Sequence, residues 1–412
     1  MGLVVQKYGG TSVGSIERIK AVAERVSKRR KAGDELVVVV SAMAGETNRL
    51  FKLASELCDA PNARETDVLV ATGEQVSAAL LAIRLQALGH PSISFLAHQL
   101  KLSTDSEHGR AKIKSIECER LVAALRGDRV VVVAGYQGVD EAGDITTLGR
   151  GASDLTAVAL AATLKADVCE IYTDVDGVYT ADPNVVPGAR KLKRVSYDEM
   201  MEMAGLGAKV LQLRSVELAR RYNVPLVVRS SFSEAEGTWV GQEDKSMEDV
   251  LVSGVALDLN QAKVTVGGVE DRPGLAARIF GPIADAGIVV DMIIQNASAD
   301  GRTDITFTVP RDDLRRALDI IKRVASEIGA SAVRHEDPVA KVSIVGLGMR
   351  THAGVAATMF RVLSEERINI EMIATSEIKI SVVVNSKYGE LAMRALHDAF
   401  LGHSASAAGG TA

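Results

Sequence analysis

Short β-branched runs alternate with longer helical patterns over the first 232 residues, and this alternation limits the possible folds more than any other feature. Such an order is typical of an open, mostly parallel sheet with helices on both faces. Strands are predicted at Leu3–Tyr8, Leu36–Ser41, Ser92–Ala97, Arg129–Tyr136, Glu170–Thr173 and Leu226–Arg229. Helices are predicted at Ser15–Lys31, Thr66–Leu88, Ser115–Arg126, Ser153–Leu164, Ser196–Met203 and Lys209–Tyr222. Ligands of such sheets bind beyond the carboxyl ends of the strands, so the polar residues that follow each strand are the first candidates for a site.

The loop after the first predicted strand joins Lys7 to a glycine pair, Gly9 and Gly10, and to a helix that begins near Ser15. Adjacent glycines let backbone N–H groups approach a ligand and the lysine adds positive charge, so the segment suits a phosphate group. The usual P-loop has its lysine after the glycines, whereas Lys7 precedes them. A plain strand-to-helix turn with Ser15 as the helix cap explains the same residues equally well. The loop alone leaves both interpretations open.

Three charged side chains elsewhere in this half are further candidates. Glu74 interrupts an apolar helical pattern, which indicates either a solvated helix position or a carboxylate that binds an ammonium group. Arg150 precedes the helix at Ser153, and an arginine can hold a carboxylate through two parallel hydrogen bonds. Lys209 opens a helix and is a second cation for phosphate if it faces the same edge. The small and polar residues 41–48 form either a substrate loop or an ordinary surface loop.

An internal repeat dominates the second half of the chain. Residues 233–262 are predicted to be a linker with a strand, and its final part, Val250–Leu257, could pair with either copy of the repeat. Lys263–Val266 then aligns with Lys341–Ile344, and Ile288–Ile293 aligns with Ile368–Ile373. Each copy, at 263–340 and 341–403, has the pattern of a ferredoxin-like βαββαβ unit, and a flexible tail is expected at 404–412. Neither copy carries a catalytic cluster, so binding or assembly is expected there.

Composition excludes several classes of partner. Aromatic residues make up only 4% of the chain and the formal net charge is −5, which argues against nucleic acid. Cys58, Cys118 and Cys169 are odd in number and lack a C-x-x-C spacing, as expected for reduced thiols in the cytoplasm. The histidines show no zinc-site spacing, so no protein-built metal site is predicted. Neither a membrane-length apolar run nor a signal peptide is apparent, which predicts a cytoplasmic protein without a membrane partner.

Four motifs, in this order and spacing, resemble those of the aspartate kinases. They are Lys7-Tyr8-Gly9-Gly10-Thr11-Ser12-Val13-Gly14, Thr72-Gly73-Glu74, Thr147-Leu148-Gly149-Arg150 with Ser153-Asp154, and Tyr172-Thr173-Asp174-Val175-Asp176-Gly177-Val178-Tyr179. The repeat is similar to the pair of ACT domains in the single-function form of that family. The resemblance implies an α/β amino-acid-kinase domain at 1–232, with an open and mostly parallel sheet, followed by two ferredoxin-like ACT domains.

The resemblance also implies the reaction. The γ-phosphoryl group of MgATP would pass to the β-carboxylate of L-aspartate, giving 4-phospho-L-aspartate on the route to lysine, threonine and methionine. A carboxylate with a pKa near ~4 is already ionised at neutral pH, so positioning and charge neutralisation suffice without a general base. Mg²⁺ would be held largely by phosphates and water.

Residue roles follow from the match to the family's motifs. The implied catalytic residues are Lys7, Asp154 and Lys209. The implied ATP-binding residues are Lys7, Gly9, Gly10, Ser41, Thr173, Asp174, Tyr179, Asp182 and Lys209. Arg150 would hold the α-carboxylate of aspartate, Thr47 and Ser153 would hydrogen-bond it, and Glu74 with Asp154 would meet its amine or orient Lys7.

The ACT domains imply feedback regulation by lysine and/or threonine, bound between paired domains, and a homo-oligomer formed through those domains. Matching positions in the first copy are Asp271, Gly274, Leu275, Ala276, Asp291, Met292, Ile293 and Gln295. Those in the second copy are Thr375, Ser376 and Glu377. Met247 lies where the family can begin a separate, smaller subunit.

Two positions depart from the family pattern and motivate alternatives. Ala152 stands where the family typically has glycine, and Asn184 stands where it typically has arginine. One alternative is an amino-acid-sensing regulatory protein with a weakened kinase half. The other is an acyl-phosphate kinase that acts on a related amino acid.

Overall fold

The chain is divided into two compact units. The computed structural model describes residues 2–206, 210–243, 251–296, 301–350, 352 and 354–402. Of these, the first unit takes residues 2–178, 191–205 and 210–243. The second unit takes residues 179–190, residue 206 and the described residues from 251 onward. The predicted boundary at 232 differs from this division, because residues 179–190 lie with the second unit.

Residues 179–190 belong to the second unit because they pack into its core. Ala181 and Val186 are buried there among the strands and helices of the second repeat copy. The carbonyl of Thr180 accepts a 2.7 Å hydrogen bond from the N–H of Val255. Its hydroxyl lies 2.9 Å from Nε2 of His397, which is also buried. A segment that the sequence pattern places in the first domain therefore packs within the second unit.

The first unit contains twelve strands and seven helices among its described residues. The strands are β1 (Leu3–Tyr8), β2 (Glu35–Val40), β3 (Ser92–Phe95), β4 (Ser103–Thr104), β5 (Ile113–Ser115), β6 (Val130–Ala134), β7 (Gln137–Val139), β8 (Ile145–Thr147), β9 (Val168–Thr173), β10 (Arg194–Ser196), β11 (Leu226–Ser230) and β12 (Thr238–Gly241). The helices are α1 (Ile16–Lys31), α2 (Glu46–Leu57), α3 (Ala63–Ala87), α4 (Glu119–Arg126), α5 (Ser153–Leu164), α6 (Tyr197–Gly205) and α7 (Leu213–Tyr222).

The main sheet has eight strands in the order β10-β12-β11-β9-β1-β2-β6-β3. All pairs are parallel except β11 with β12. The six predicted strands lie side by side in it, so the predicted open, mostly parallel sheet is confirmed. β12 comes from the predicted linker and closes onto β11 as an antiparallel neighbour.

Besides the short edge strand β10, two parts of the first unit were not predicted. A small sheet, in the order β5-β4-β7-β8, is built from strands of two or three residues, which are too short to show a periodic pattern. α2 begins at Glu46, inside a segment whose small and polar residues favoured a loop. Gly45, with φ of 82°, precedes it.

The core of the first unit lies between the sheet and its helices. Val37–Val40 and Val130–Val133 are buried on both faces of the sheet, as expected for central parallel strands. By length and composition, α3 could also span a membrane. Its buried face, however, packs Leu81 and Leu85 against the sheet and carries the carboxylates of Asp67 and Glu74. This is the behaviour of a core helix.

The second unit is one six-stranded antiparallel sheet with helices. Its strands are β13 (Gly254–Glu270), β14 (Ile293–Gln295), β15 (Arg302–Pro310), β16 (Ala332–Val345), β17 (Met372–Thr375) and β18 (Lys379–Asn385). Its helices are α8 (Leu275–Asp285), α9 (Leu314–Ile328), α10 (Val355–Glu365) and α11 (Gly389–Leu401). The strand order is β14-β15-β13-β16-β18-β17.

The two repeat copies share their long central strands. Residues 254–258 of β13 pair with residues 341–345 of β16, and residues 263–267 of β13 pair with residues 332–336 of β16. Each copy thereby obtains a four-stranded sheet in the ferredoxin-like order. All four strands of the first copy lie within residues 263–340, whereas the fourth strand of the second copy is residues 254–258, which precede the first copy in sequence. The strand predicted ahead of the first copy pairs with the second, and the predicted boundary at 340 falls inside β16.

Reciprocal ion pairs link the two copies. Lys263 of the first copy lies 2.7 Å from Glu371 of the second, and Lys341 of the second pairs with Asp291 of the first. The two lysines occupy equivalent positions in the repeat, as do the two carboxylates. Both lysine side chains are largely buried, and such cations require a carboxylate partner.

Candidate active site

The loops after β1, β2 and β9 meet at the carboxyl edge of the main sheet. The N–H of Gly9 donates to the carbonyl of Tyr172 at 3.1 Å. The N–H of Ser41 donates to the carbonyl of Tyr8, and the N–H of Ala44 donates to the carbonyl of Gly10, also at 3.1 Å. The structure therefore brings Lys7, Gly9, Gly10 and Ser41 to one edge, as the sequence predicts.

The glycine pair is needed for close approach. A Cβ atom at Gly10 would lie 2.9 Å from the carbonyl oxygen of Ala42, and one at Gly9 would lie 3.4 Å from Nζ of Lys7. The N–H groups of Gly10 and Thr11 have no acceptor in the described part of the chain, so both can serve a ligand. Ser15 caps α1 through a 3.3 Å bond from the N–H of Arg18. The loop thus contains both predicted features: N–H groups available to a ligand at Gly10 and Thr11, and a helix cap at Ser15.

A nearly buried ion pair lies beside the glycines. Nζ of Lys7 is 2.7 Å from Oδ1 of Asp154, and the two side chains are 11% and 8% exposed. Asp154 is in the first turn of α5, and its Oδ2 accepts a 3.4 Å bond from the N–H of Gln212. The pair holds the lysine ammonium next to Gly9, where an anion would gain both a fixed positive charge and backbone donors.

Glu74 projects from the buried face of α3 toward the loop after β2. Its Oε1 accepts a 3.1 Å bond from the N–H of Ala42. Its Oε2 is buried and has no hydrogen-bond partner among the described residues. Burial raises the pKa of Glu74 to about 7. A buried carboxylate with one free oxygen is a site for a cationic group.

The segment from Arg150 to Asp154, here called the Arg150 wall, follows β8 and ends at the carboxylate that pairs with Lys7. Arg150 is exposed and forms no ion pair with any described residue, while its carbonyl accepts a 3.2 Å bond from Nε2 of Gln212. Ser153 is buried and packs against Gly135. A Cβ atom added to Gly135 would lie 2.8 Å from the Cβ atom of Ser153. A guanidinium without an internal partner is available to a carboxylate ligand.

Ala152 does not occupy the ligand edge. Its φ is −76°, which any residue adopts, and its side chain is fully buried in a cluster with Leu50, Tyr136 and Leu148. The methyl group therefore adds to the core. The added methyl group at the first of the two departures from the family pattern is thus accommodated in the core without backbone strain.

The predicted nucleotide segment is divided between the two units. Thr173 ends β9, and its hydroxyl donates to Asp174, an exposed side chain at the same edge as Lys7. Tyr179 and Asp182 lie in the second unit, where Asp182 accepts bonds of 2.9 Å from both N–H and Nδ2 of Asn184.

Three further predicted positions differ in what can be described. Thr47 is half-buried in the first turn of α2. Lys209 and Met247 lie outside the described residues.

Several residues near the site were not predicted from the sequence. They are Gly135, Gln212, Arg214, Tyr136 and Asp67. Gly135 leaves space for the Ser153 side chain, and Gln212 donates from both its backbone N–H and its Nε2, and neither contact leaves a pattern in the sequence. A signal existed for Asp67, because it lies seven residues before Glu74 and so shares its face on an otherwise apolar helix.

The residues predicted to bind an effector all lie in the second unit. Asp271 accepts from Nε2 of Gln295 at 3.5 Å, and Asp291 pairs with Lys341. Gly274 precedes α8 with φ of 88° and Ala276 is exposed in its first turn, whereas Leu275 and Met292 are buried in apolar clusters. Ile293 lies on β14, while Thr375 ends β17 and Ser376 and Glu377 follow it. These two strands are at opposite ends of the strand order.

Comparison with known proteins identifies matches over both units. The amino acid kinase family matches residues 2–230, and the ACT domain family matches residues 264–326 and 342–400. An aspartate kinase of Pseudomonas putida is 58% identical over 401 residues, which cover 97% of this chain and 98% of that protein. An aspartokinase of Pseudomonas aeruginosa is 57% identical over 402 residues, or 97% and 98% of the two chains.

A solved structure has the same fold over its whole length. The crystal structure of Escherichia coli aspartokinase III in complex with aspartate and ADP superposes with a TM-score of 0.82 at 27% identity, and the match covers 96% of this chain and 99% of that one. The sequence and structural matches agree with each other over the kinase unit and over both repeat copies. The chain belongs to the amino acid kinase family and, within it, to the aspartate kinases.

Proposed function

We propose that this chain transfers the γ-phosphoryl group of ATP to the β-carboxylate of L-aspartate, and that the edge formed by Lys7, Gly9, Gly10, Glu74 and Arg150 is where it does so. The observation that carries the proposal is the Lys7–Asp154 ion pair at the carboxyl edge of the sheet, beside the N–H groups of Gly10 and Thr11, which have no acceptor among the described residues. The edge offers the positive charge of Lys7 to a phosphoryl group, and the Arg150 guanidinium has no ion-pair partner in the described part of the chain.

In this proposal the protein positions the two substrates and neutralises charge on the phosphoryl group, and none of its side chains transfers a proton. The attacking carboxylate is ionised at neutral pH, so no side chain is required as a general base. Lys7 balances charge that accumulates on the transferring phosphoryl group, with the N–H groups of Gly10 and Thr11 as additional donors. Asp154 keeps the Lys7 ammonium at this place, because its own position is fixed by α5 and Gln212.

The substrate amino acid is held at both ends of its backbone. Arg150 would bind the α-carboxylate by two hydrogen bonds, with support from Thr47 and Ser153. The free Oε2 of Glu74 would accept from the α-ammonium group. An ammonium beside this carboxyl group lowers its pKa again, so substrate binding and ionisation of Glu74 favour each other.

Mg²⁺ is proposed to enter with ATP. No group of three or more His, Cys, Asp or Glu side chains suited to a metal occurs in the parts of the chain that the structure describes. The described residues therefore suit an ion that is held mainly by phosphates and water, and they do not suit an ion enclosed by protein ligands alone. Asp174, the first residue after β9, is an exposed carboxylate that could contribute. The ion would supply further neutralisation of the phosphates.

The second unit is proposed to sense lysine and/or threonine and to join copies of this chain in a cytoplasmic homo-oligomer. Escherichia coli aspartokinase III has been solved with lysine and aspartate, which supports an amino-acid effector. The matched positions on β14 and β17 lie at opposite ends of one sheet, which suits a site completed by a second copy.

The proposal is tested by ATP-dependent formation of a hydroxamate from hydroxylamine, with aspartate and a panel of other amino acids. Wild-type protein should form the hydroxamate with aspartate, and lysine or threonine should inhibit it. Hydroxamate with another amino acid alone would support a related acyl-phosphate kinase, and no hydroxamate from folded protein would reject the kinase function.

Arg150→Ala should raise the KM for aspartate by about 10- to 100-fold, because a charge-assisted, two-pronged contact is lost. The KM for ATP should stay within about twofold, since in this proposal Arg150 binds the amino acid and not the nucleotide. Arg126→Ala, an exposed arginine at the end of α4, is the matched control. An unchanged aspartate KM would remove Arg150 from the substrate site.

A further inference from the structure

Asp67 is a buried carboxylate that the proposed reaction does not use, although it accepts four hydrogen bonds. Its Oδ1 accepts from the hydroxyl of Thr147 at 2.6 Å. Its Oδ2 accepts from the N–H groups of Thr147 and Gly109, each at 3.0 Å, and from Nδ1 of His108 at 2.9 Å. The residue is only 2% exposed. Burying this charge is costly, and its four hydrogen bonds offset that cost. A buried carboxylate with this many partners is expected to have a role.

All four donors belong to two segments that lie beside the Arg150 wall. Thr147 is the last residue of β8 and precedes Arg150 by three positions. The carbonyl of Thr147 accepts from the N–H of Ala111 at 2.8 Å, which ties the loop at His108 and Gly109 to the same strand. Asp67 therefore fixes the point at which the chain leaves β8 and turns toward Arg150.

The next residues in the wall have little freedom once Thr147 is fixed. The N–H of Leu148 donates to the carbonyl of Tyr136 at 2.9 Å, and its carbonyl accepts from Nη1 of Arg214 at 2.6 Å. Gly149 follows with φ of 93°, a conformation that favours glycine. The position of Arg150 is thus set by contacts that begin at Asp67.

Tyr136 gives a second, independent indication of this arrangement. It has φ of 71°, which is uncommon for a residue other than glycine, and such strain is concentrated at functional sites. Burial raises the pKa of its phenol, the Thr147 side chain lowers it through a hydrogen bond, and the carboxylates of Glu74 and Asp67 raise it. Arg150 also lowers this pKa, so Asp67, Thr147 and Arg150 all lie near one phenol.

We infer that Asp67 is a positioning residue for amino-acid recognition: through Thr147 it holds the end of β8 so that the Arg150 guanidinium faces the substrate carboxylate. This inference rests on the proposed function of Arg150. α3 would then serve the substrate twice from one face, with Glu74 for the ammonium group and Asp67, indirectly, for the carboxylate.

The role requires a carboxylate, which makes an isosteric test possible. In Asp67→Asn the negative charge is removed and one oxygen becomes an NH₂ group, which can only donate, so in either orientation of the amide the side chain can no longer accept all four hydrogen bonds. The side-chain volume stays the same, so a loss of packing does not confuse the result. Glu65→Gln, an exposed carboxylate in the first turn of the same helix, is the matched control.

The hydroxamate assay with full-length protein separates positioning from a general structural role. Asp67→Asn should raise the KM for aspartate by about 10-fold or more, while kcat and the KM for ATP stay within about threefold. Thr147→Val, which removes only the hydroxyl contact, should shift the aspartate KM in the same direction by a smaller factor. Glu65→Gln should match wild type.

A double variant identifies the residue through which Asp67 acts. If Asp67 positions Arg150, the combination of Asp67→Asn with Arg150→Ala should raise the aspartate KM no further than Arg150→Ala alone. Multiplicative effects of the two substitutions would overturn the inference. So would an unchanged aspartate KM in both Asp67→Asn and Thr147→Val, or an equal loss for aspartate and ATP.

Wild-type activity distinguishes the two levels of the argument. Activity of wild-type protein with aspartate, together with an unaffected aspartate KM in these variants, rejects only the role of Asp67. Wild-type protein that forms no hydroxamate rejects the proposed function and this inference with it. If Asp67→Asn does not fold, Thr147→Val alone and in combination with Arg150→Ala decides the question by the same criteria.

Discussion

At the scale of single residues, the site contains charged side chains that lack a full set of hydrogen-bond or ion-pair partners among the described residues. Asp154 has Lys7 and Gln212, whereas Glu74 uses one oxygen for Ala42 and leaves the other without a partner. Arg150 is likewise unpaired among the described residues. The sequence alone could not separate these cases, because a charged residue in an apolar pattern looks the same whether its partner is another side chain, a ligand or solvent. The contacts decide it.

Glu74 should make the ligand-free protein less stable as the pH rises. Its pKa is about 7 in the folded chain, whereas a solvent-exposed glutamate has its ordinary pKa of 4.5, so the folded state binds more protons between these two pH values. Stability from this group is present below pH 4.5 and is lost as the pH rises through about 7, by on the order of 3 kcal/mol. Glu74→Gln keeps an acceptor for Ala42 and removes this titration.

Urea unfolding of wild type and Glu74→Gln at pH 5 and pH 8 measures the effect. The free energy of unfolding of Glu74→Gln minus that of wild type should be larger at pH 8 than at pH 5. Adding aspartate at pH 8 should reduce the difference, since its ammonium group would stabilise the ionised form. An equal difference at both pH values would show that Glu74 is not the group that titrates.

At the scale of elements, the periodicity of the sequence predicted the long and regular strands and helices. The bounds of β1 and α5 agree with the predicted ones, and the other five main-sheet strands predicted from the sequence lie within a few residues of theirs. The β4–β8 sheet and α2 were missed because two- and three-residue strands have no measurable period, and because small polar residues favour loops and helix starts alike. Which strand the extra segment at 250–257 would join also required the structure, since both partners offered equivalent edges.

The contact between the loops after β1 and β2 should tolerate no side chain. Gly10→Ala places a methyl group 2.9 Å from a backbone oxygen, so one of the two loops must move. We expect kcat/KM to fall by about 100-fold, because the N–H groups of Gly10 and Thr11 would leave their positions. The melting temperature should change little, since the site is at the edge of the sheet.

Gly241→Ala is the control for this substitution. Gly241 lies at the end of β12, where an added Cβ atom would meet nothing within 4 Å. It should have wild-type activity in the hydroxamate assay. Full activity of Gly10→Ala would show that the close approach of the two loops has no part in catalysis.

At the scale of the whole molecule, chain order and spatial order differ in two places. Residues 179–190 lie in the second unit, although the kinase motifs continue on either side of them in sequence. Residues 254–258 complete the second repeat copy, although they precede the first. No local pattern carries this information, because both segments have compositions that suit either unit. It arises from pairing between segments that are more than 70 residues apart in sequence.

A substitution ahead of the first copy should therefore destabilise the second. Val255 is 3% exposed and packs in the core that contains α10 and α11. Val255→Asp buries a carboxylate without a partner, which should cost about 3 kcal/mol or more. Hydrogen exchange should accelerate in α10 and α11 more than in α8 and α9.

Leu259→Asp provides the comparison, since Leu259 is on the same strand but 46% exposed. It should leave exchange in all four helices close to wild type. Faster exchange confined to α8 and α9 in Val255→Asp would contradict the pairing of residues 254–258 with the second copy.

The shared strands also bear on how such a chain can change over generations. The second copy is discontinuous in sequence, because residues 254–258 supply its fourth strand and the whole first copy lies between them and residue 341. A block of residues 341–403 exchanged alone would lack that strand, whereas a block of residues 263–340 carries all four strands of the first copy. Lys263 and Glu371, and Lys341 and Asp291, are expected to change as pairs across the repeat.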